Sequence, residues 1–308
     1  MISRMDIKSE DVVIDEIDFT TMPGTNTAVL GSKFVKVPLR NAYQAEGPWE
    51  FSLTNNSRNY LDLKRTYLVF TFDITDTAGN FVKMDPKLLE TSLSYAPINN
   101  IAGSIIKTVT LHINSQLVYG NSTNHAYKSY FENLLNYSQD IKDSTLSAAG
   151  FYHDTAVEEF TSLGYQKRCS MVFNPKPVQV ATNISIDLMN QSRLLLNSCK
   201  ATLTVYPNNK AFIQMQEAIG HSRNNSTCNS ISTQMFKEKG FTIYGFELSP
   251  VALDNSLFEM VVQTNVSIRL DFKEKTPENG LYCVVVAEFD ALMGLDTLRN
   301  PILDATAH

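Results

Sequence analysis

The amino-acid sequence predicts an all-β protein, an antiparallel β-sandwich with a few short helices, on three observations. Apolar and polar residues alternate with period two in segment after segment, the mark of strands with one face buried. Charged residues are only 19% of the 308, too few for long solvated helices or coiled coils. Hydrophobic residues are 43%, with 17 Phe and 13 Tyr, enough to fill a sizeable core without disulfide staples.

The chain opens with an acidic arm, 1–30, where Arg4 and Lys8 are outweighed by Asp6, Glu10, Asp11, Asp15, Glu16 and Asp18. Strands follow in the region 31–207, at Trp49/Phe51/Leu53, Phe70/Phe72/Ile74, Val109/Leu111/Ile113, Ile184/Ile186/Leu188 and Ala201/Leu203/Val205. Each is flanked by Asn, Asp, Gly or Pro, and the two-faced pattern is that of sheets packed face to face. Asp76-Thr77-Ala78-Gly79-Asn80 reads as a tight reversal, with Gly79 supplying the positive φ. Asp85-Pro86 reads as an N-cap followed by proline at the first helical position.

The principal helix is expected over about 122–138. Ala126, Tyr130 and Leu134 form one row at i, i+4, with Tyr127, Phe131 and Leu135 beside it, and Lys128, Glu132 and Asn133 fall off the stripe. A polar linker, 208–240, follows, with a short helix over Ala211–Ile219 and the low-complexity stretch Gly220–Gln234. The last region, 241–308, carries three strands. The strongest alternates Val262, Thr264, Val266, Ile268, Leu270 and Phe272 with polar residues, and Ile268→Asp is expected to unfold it by burying a charge. Tyr282 to Phe289 is apolar on both faces, as in a central strand. Three strands do not close a sandwich, so this group is expected to pack on the first.

Charge and motifs exclude several functions. Twenty-six basic against 32 acidic residues leave a net charge of −6, which disfavours strong direct binding of nucleic acid. The acidic arm holds no secretory apolar run, and no stretch is apolar enough to span a membrane, so the chain reads as intracellular and not secreted. Cys169, Cys199, Cys228 and Cys283 lack both C-x-x-C spacing and the density of a disulfide framework. His112, His125, His153, His221 and His308 form no metal-binding pair, and His112 is expected at the surface of its strand. Nucleophile-elbow, phosphate-loop and zinc-protease motifs are absent from the sequence. The sequence therefore nominates no catalytic, cofactor-binding or metal residue, and the protein is expected not to be an enzyme. The acidic run Asp15-Glu16-Ile17-Asp18 reads as a solvated arm, and Tyr127/Tyr130/Phe131 as core rather than a stacking platform. A carbohydrate-binding jelly roll would want several exposed aromatics, often Trp, whereas Trp49 alternates with Phe51 and Leu53 and is expected to be buried.

Several strings, in order, carry a resemblance. They are Asn59-Tyr60-Leu61-Asp62-Leu63-Lys64-Arg65-Thr66-Tyr67-Leu68, Pro97-Ile98-Asn99-Asn100, Val109-Thr110-Leu111-His112-Ile113-Asn114 and the run from Asn121 to Tyr137. Arg193-Leu194-Leu195-Leu196-Asn197, Tyr244-Gly245-Phe246-Glu247-Leu248-Ser249-Pro250, Val266-Ser267-Ile268-Arg269-Leu270-Asp271-Phe272 and Ala287-Glu288-Phe289-Asp290 continue it. Over roughly 45–207 and 241–300 the chain resembles the jelly-roll capsid proteins of Polinton (Maverick) elements and adintoviruses, relatives of the double jelly-roll major capsid proteins of large DNA viruses.

The resemblance implies a first jelly roll over 31–207 and a second, incomplete one over 241–308, whose opening strands are missing between Tyr206-Pro207 and Phe241-Thr242. It implies a structural capsid protein of a virion. Its partners would be copies of itself, as a trimer, and other capsid proteins. The alternatives are a host-retained, capsid-derived β-sandwich that serves as an interaction protein without enzymatic activity, and the carbohydrate-binding jelly roll.

Overall fold

The computed structural model describes residues 31–54, 59–76, 78–89, 94–120, 124–154, 161–174, 176–209 and 292–303, with shorter pieces at 216–217, 243–244, 267–270 and 283–287 and single positions at 272, 275 and 278. The acidic arm 1–30 and most of the region 210–266 lie outside these residues. The chain divides into a larger unit, Lys36–Ile243 with Gly294–Ile302, and a smaller one, Met1–Val35 with Tyr244–Met293 and Leu303–His308.

The larger unit is built on antiparallel sheets with a few short helices. Its main sheet has four strands: β1 (Trp49–Thr54), β4 (Ile106–Ile113), β5 (Gln116–Gly120) and β7 (Lys200–Pro207), in the order β1-β7-β4-β5. A second sheet pairs β2 (Tyr67–Phe72) with β6 (Val178–Asn183), and a third pairs β3 (Tyr95–Ala96) with β8 (Gln216–Glu217).

Register explains why the period-two residues meet. Val205 on β7 lies between Trp49 on β1 and Val109 on β4, Leu203 between Phe51 and Leu111, and Ala201 between Leu53 and Ile113. Three rows of apolar side chains thus run across one face, and all of these residues except half-buried Phe51 belong to the buried core. Trp49 is buried as the alternation predicts, and its ring lies 5.6 Å from that of Phe70, which joins the main sheet to β2. The Trp49 indole N–H donates to the Gln44 carbonyl at 2.7 Å, so its polar edge is satisfied.

Turn chemistry agrees with the sequence. Asn114 and Ser115 both take positive φ, the conformation a two-residue hairpin between β4 and β5 requires. Gly79 has φ +86, and the Asp76 carboxylate accepts from the Ala78 and Asn80 backbone N–H groups at 2.9 Å. Those bonds hold the Asp76 carboxyl below its ordinary pKa. The reversal recurs at Asp296-Thr297-Leu298-Arg299-Asn300, between β9 (Met293–Leu295) and β10 (Pro301–Leu303). There Asn300 donates to Asp296 through both backbone and side chain, and Arg299 occupies the positive-φ position held by Gly79 in the first copy. The Asn114 side chain ties this second hairpin to the sheet, donating to the Arg299 carbonyl at 2.7 Å and accepting from the Lys200 N–H at 2.8 Å.

Several expected elements differ. The strand expected around Ile184–Leu188 forms earlier, as β6, because Asp187 begins a short helix, α5 (Asp187–Asn190). Within the helix expected over Ala211–Ile219, Gln216 and Glu217 pair as β8 with Tyr95 and Ala96. The described residues of the two C-terminal strands, 267–270, 272 and 283–287, carry no strand, and Ile268 is 54% exposed. Ile268→Asp therefore does not bury a charge, and the expected unfolding loses its cause. Asp85 does cap a single 3₁₀ turn, Pro86–Leu88, accepting from the Lys87 N–H at 3.0 Å.

The main helix, α2, runs His125–Leu135 and lies against the short α1 (Ile101–Ser104) and β4. Helices α3 (Gln139–Asp143) and α4 (Leu163–Cys169) follow. Buried Lys142 donates to the Leu134 carbonyl at 2.6 Å and so satisfies the C-terminal turn of α2. Gly150 stops the short 3₁₀ segment Thr145–Ala149 with φ +70, and a Cβ there would sit 2.6 Å from Ile101 Cγ2. Gly150→Ala is expected to destabilise by about 1–3 kcal/mol, from backbone strain together with the clash on α1. A shifted urea midpoint at unchanged slope measures it.

Candidate functional site

Among the described residues, His112, His125 and His153 belong to no metal-binding group. His112 is half-buried on β4, His125 is wholly buried at the start of α2, and His221 and His308 lie outside the described residues. Among the described residues no group of three or more His, Cys, Asp or Glu could hold a metal ion. Cys169 and Cys199 are buried free thiols and Cys283 is an exposed one, while Cys228 lies outside the described residues. The aromatic row of α2 divides: Tyr127 is exposed, and Tyr130 packs 5.9 Å from Phe151.

The buried face of α2 is His125, Ala126, Ser129, Asn133 and Leu134, a face rotated from the expected stripe and partly polar. Two of its polar members, Ser129 and Asn133, have a partner in Asn100. This residue takes φ 54 at the start of α1, donates through Nδ2 to Ser129 Oγ at 3.1 Å and accepts from Asn133 Nδ2 at 3.0 Å. Gly103 allows the approach, since a Cβ there would stand 2.4 Å from Ser129 Oγ. Asn99 completes the network by bonding both backbone groups of Tyr152, at 2.8 and 2.9 Å. Two adjacent asparagines therefore fasten α2 to the chain entering at 151–154.

His125 stands apart from that network. Neither ring nitrogen has a hydrogen-bond partner among the described residues. Burial, reinforced by the nearby Lys128 charge, pushes its pKa down to about 4, so the ring is neutral at physiological pH.

A second polar cluster surrounds Arg168 on α4. The guanidinium is almost wholly buried, its Nη1 lies 3.3 Å from both oxygens of Asp154, and its Cζ lies 5.6 Å from the Tyr165 ring centre. Nε and Nη2 have no partner among the described residues. Ser162 Oγ donates to Asp154 at 2.9 Å, and the Tyr165 hydroxyl donates to the Ser94 carbonyl at 2.9 Å. Gly164 lets α4 close on this loop, because a Cβ would lie 2.4 Å from the His153 carbonyl oxygen. Burial raises the Tyr130 pKa, with the nearby Asp154 charge adding to the rise. The cluster joins the segment after α3, the start of α4 and β3 around one buried charge. Its chemistry is that of a fastening, since both Ser162 and Arg168 spend donors on the one carboxylate.

One exposed apolar face of the larger unit lies on its second sheet. Tyr67 and Val69 on β2 are 54 and 55% exposed, and with Ala181 opposite Val69 they form an outward face. Leu68 and Val180, on the other face of the same two strands, are buried.

No protein-family model matches the chain. A curated relative does match: the uncharacterized protein F54H12.2 of Caenorhabditis elegans, 40% identical over an alignment covering 92% of this chain and the whole of that protein. The alignment extends over 421 positions against a chain of 308 residues, so more than a hundred positions of the relative face gaps in this chain. Identity of that level over that coverage places this chain in the same family as the uncharacterized protein F54H12.2 of Caenorhabditis elegans.

Proposed function

We propose that the protein is a structural capsid protein of jelly-roll type, self-assembling through its sandwich surfaces and without enzymatic activity. The observation that supports this best is the nesting of its strand pairs. β1 pairs antiparallel with β7, and inside that pair β2 pairs antiparallel with β6, so the outermost strands join and the next two join within them. β4 then adds to the inner side of β7. A long hairpin rolled on itself would produce such nesting, and this supports reading the unit as a jelly roll, the fold of viral capsid and lectin domains. Fold alone does not choose between those uses.

Three further features favour the shell over the lectin. The string resemblance to Polinton and adintovirus capsid proteins runs through β2, β4 and α2. The single Trp is buried, where a sugar site would expose one. Tyr67 and Val69 give β2 an apolar outward face of the kind side-by-side packing covers.

Negative-stain imaging of the purified chain across salt and pH tests the proposal. Capsomers or closed shells are the expected result. A field of small particles with no assembled species in any condition would move the chain to the retained, non-assembling interaction protein.

A further inference from the structure

The two halves of α2 are held differently. Ser129 and Asn133 are tied to Asn100, and Lys142 satisfies the Leu134 carbonyl, so the helix from Ser129 onward is fastened by buried hydrogen bonds. The first turn has no such fastening. Asn124 at its N-cap makes no side-chain capping bond, and the buried residues of the turn are His125 and Ala126. Lys128 reaches Asp187 on α5 at 2.5 Å, but that carboxylate is largely exposed, where an ion pair contributes little.

His125 sits where a charge is costly. The ring is wholly buried, and neither nitrogen has a hydrogen-bond partner among the described residues. An imidazolium there would carry two N–H donors without an acceptor, at the positive end of the helix dipole. On α2 itself Lys128 adds a like charge. Glu132 and Asp187 are turned to Lys128, at 3.8 and 2.5 Å from its Nζ, and Tyr119 of β5 lies under the same ammonium. Of the elements packed on α2, α1 has no titratable side chain, and β4 brings Lys107 and His112, neither of which bonds the ring. A protonated ring is therefore accommodated by leaving the interior, and the lightly held first turn is the part able to leave with it.

We propose that the first turn of α2, His125–Lys128, is an acid-released latch: protonation of His125 frees this turn from the interior while the Asn100 network keeps the rest of the helix in place. The release is local, ahead of any unfolding of the larger unit. It rests on no assembly contact, so its failure would leave the capsid reading untouched.

The coupling sets the size of the effect. With the ring at about 4 when seated and 6.5 when released, the ratio of released to seated turn rises about twentyfold from pH 7 to pH 5. Amide hydrogen exchange of the full chain at the two pH values, corrected for the intrinsic effect of pH on exchange, reads this at Lys128, whose N–H donates to the Asn124 carbonyl at 3.1 Å. Opening at Lys128 is expected to rise about twentyfold on acidification. The amides of Asn133 and of the β4–β7 ladder are expected to remain the more protected at both pH values. In His125→Gln, which keeps a polar side chain that does not titrate, the Lys128 opening should stay level across the same range.

An unchanged opening at Lys128 in the natural chain overturns the proposal, whether or not the variant folds. A rise shared equally by Asn133 and the ladder overturns it too, because the ring would then be protonated only when the whole unit unfolds. A rise that persists in His125→Gln overturns it as well, by assigning the acid sensitivity to another group.

Discussion

Asp154→Ala is expected to destabilise the larger unit by about 3–5 kcal/mol, the range for stranding one member of a buried ion pair. Arg168 is almost wholly buried, and Nη1 is the guanidinium nitrogen that reaches Asp154. With the carboxylate gone, the cation has Nε, Nη2 and Nη1 all without an acceptor among the described residues. Arg168→Met is expected to cost less, because Asp154 is partly exposed and keeps its bond from Ser162. The two changes together should cost less than the sum of the singles, since neither charge is then left alone. Urea titrations of the three variants read this order directly. Equal losses in both single variants, adding in the double, would show that the pair is not coupled.

Acidification is expected to remove about 3 kcal/mol through His125 alone. Its pKa is about 4 in the folded chain against 6.5 as the ordinary value. Between those values the unfolded chain binds a proton that the folded chain does not, so stability falls as pH drops from about 6.5 to about 4 and then levels off. A gap of about 2.5 pH units at about 1.4 kcal/mol each gives the figure. His153, also held down by burial with Asp154 and Asp143 opposing, contributes in the same direction.

His125→Leu should flatten most of that slope. At pH 7 the substitution should be close to neutral, because it removes two buried nitrogens that have no hydrogen-bond partner among the described residues. Unfolding free energies at pH 7, 5.5 and 4.5 check both statements. A variant slope equal to that of the natural protein would show that the acid sensitivity lies elsewhere. Lys128, one turn along α2, is the charged neighbour that would oppose protonation.

The main sheet was legible because its chemistry is local. Trp49/Phe51/Leu53, Val109/Leu111/Ile113 and Ala201/Leu203/Val205 each alternate, and the structure places all three sets in one ladder. Gly79 and Asp85 were legible for the same reason, since a turn or cap is decided within five residues. β6 was misplaced by a few positions because Ile184/Ser185/Ile186 continues the alternation after the strand has ended. The Ala211–Ile219 stretch has helical apolar content, yet Gln216 and Glu217 are taken by β3, a partner about 120 residues away that no local pattern announces.

The polar fastenings were not legible. Asn133 reads as surface on a helical wheel, and only the distant Asn100 makes its burial favourable. Arg168 shares the Gly164/Tyr165/Cys169 face of α4, which is a usable signal once the helix is known, but its partner Asp154 lies outside that helix. The recurrence of Asp-Thr-x-x-Asn at 76–80 and 296–300 was readable by direct comparison of strings. The two copies are five residues long and 220 apart, so no periodicity announces them.

Assembly is read by the solution mass of the full chain in light scattering, repeated across salt and pH. A species near three times 34.5 kDa, or multiples of it up to closed shells, is expected. A monomer of 34.5 kDa in every condition would contradict it.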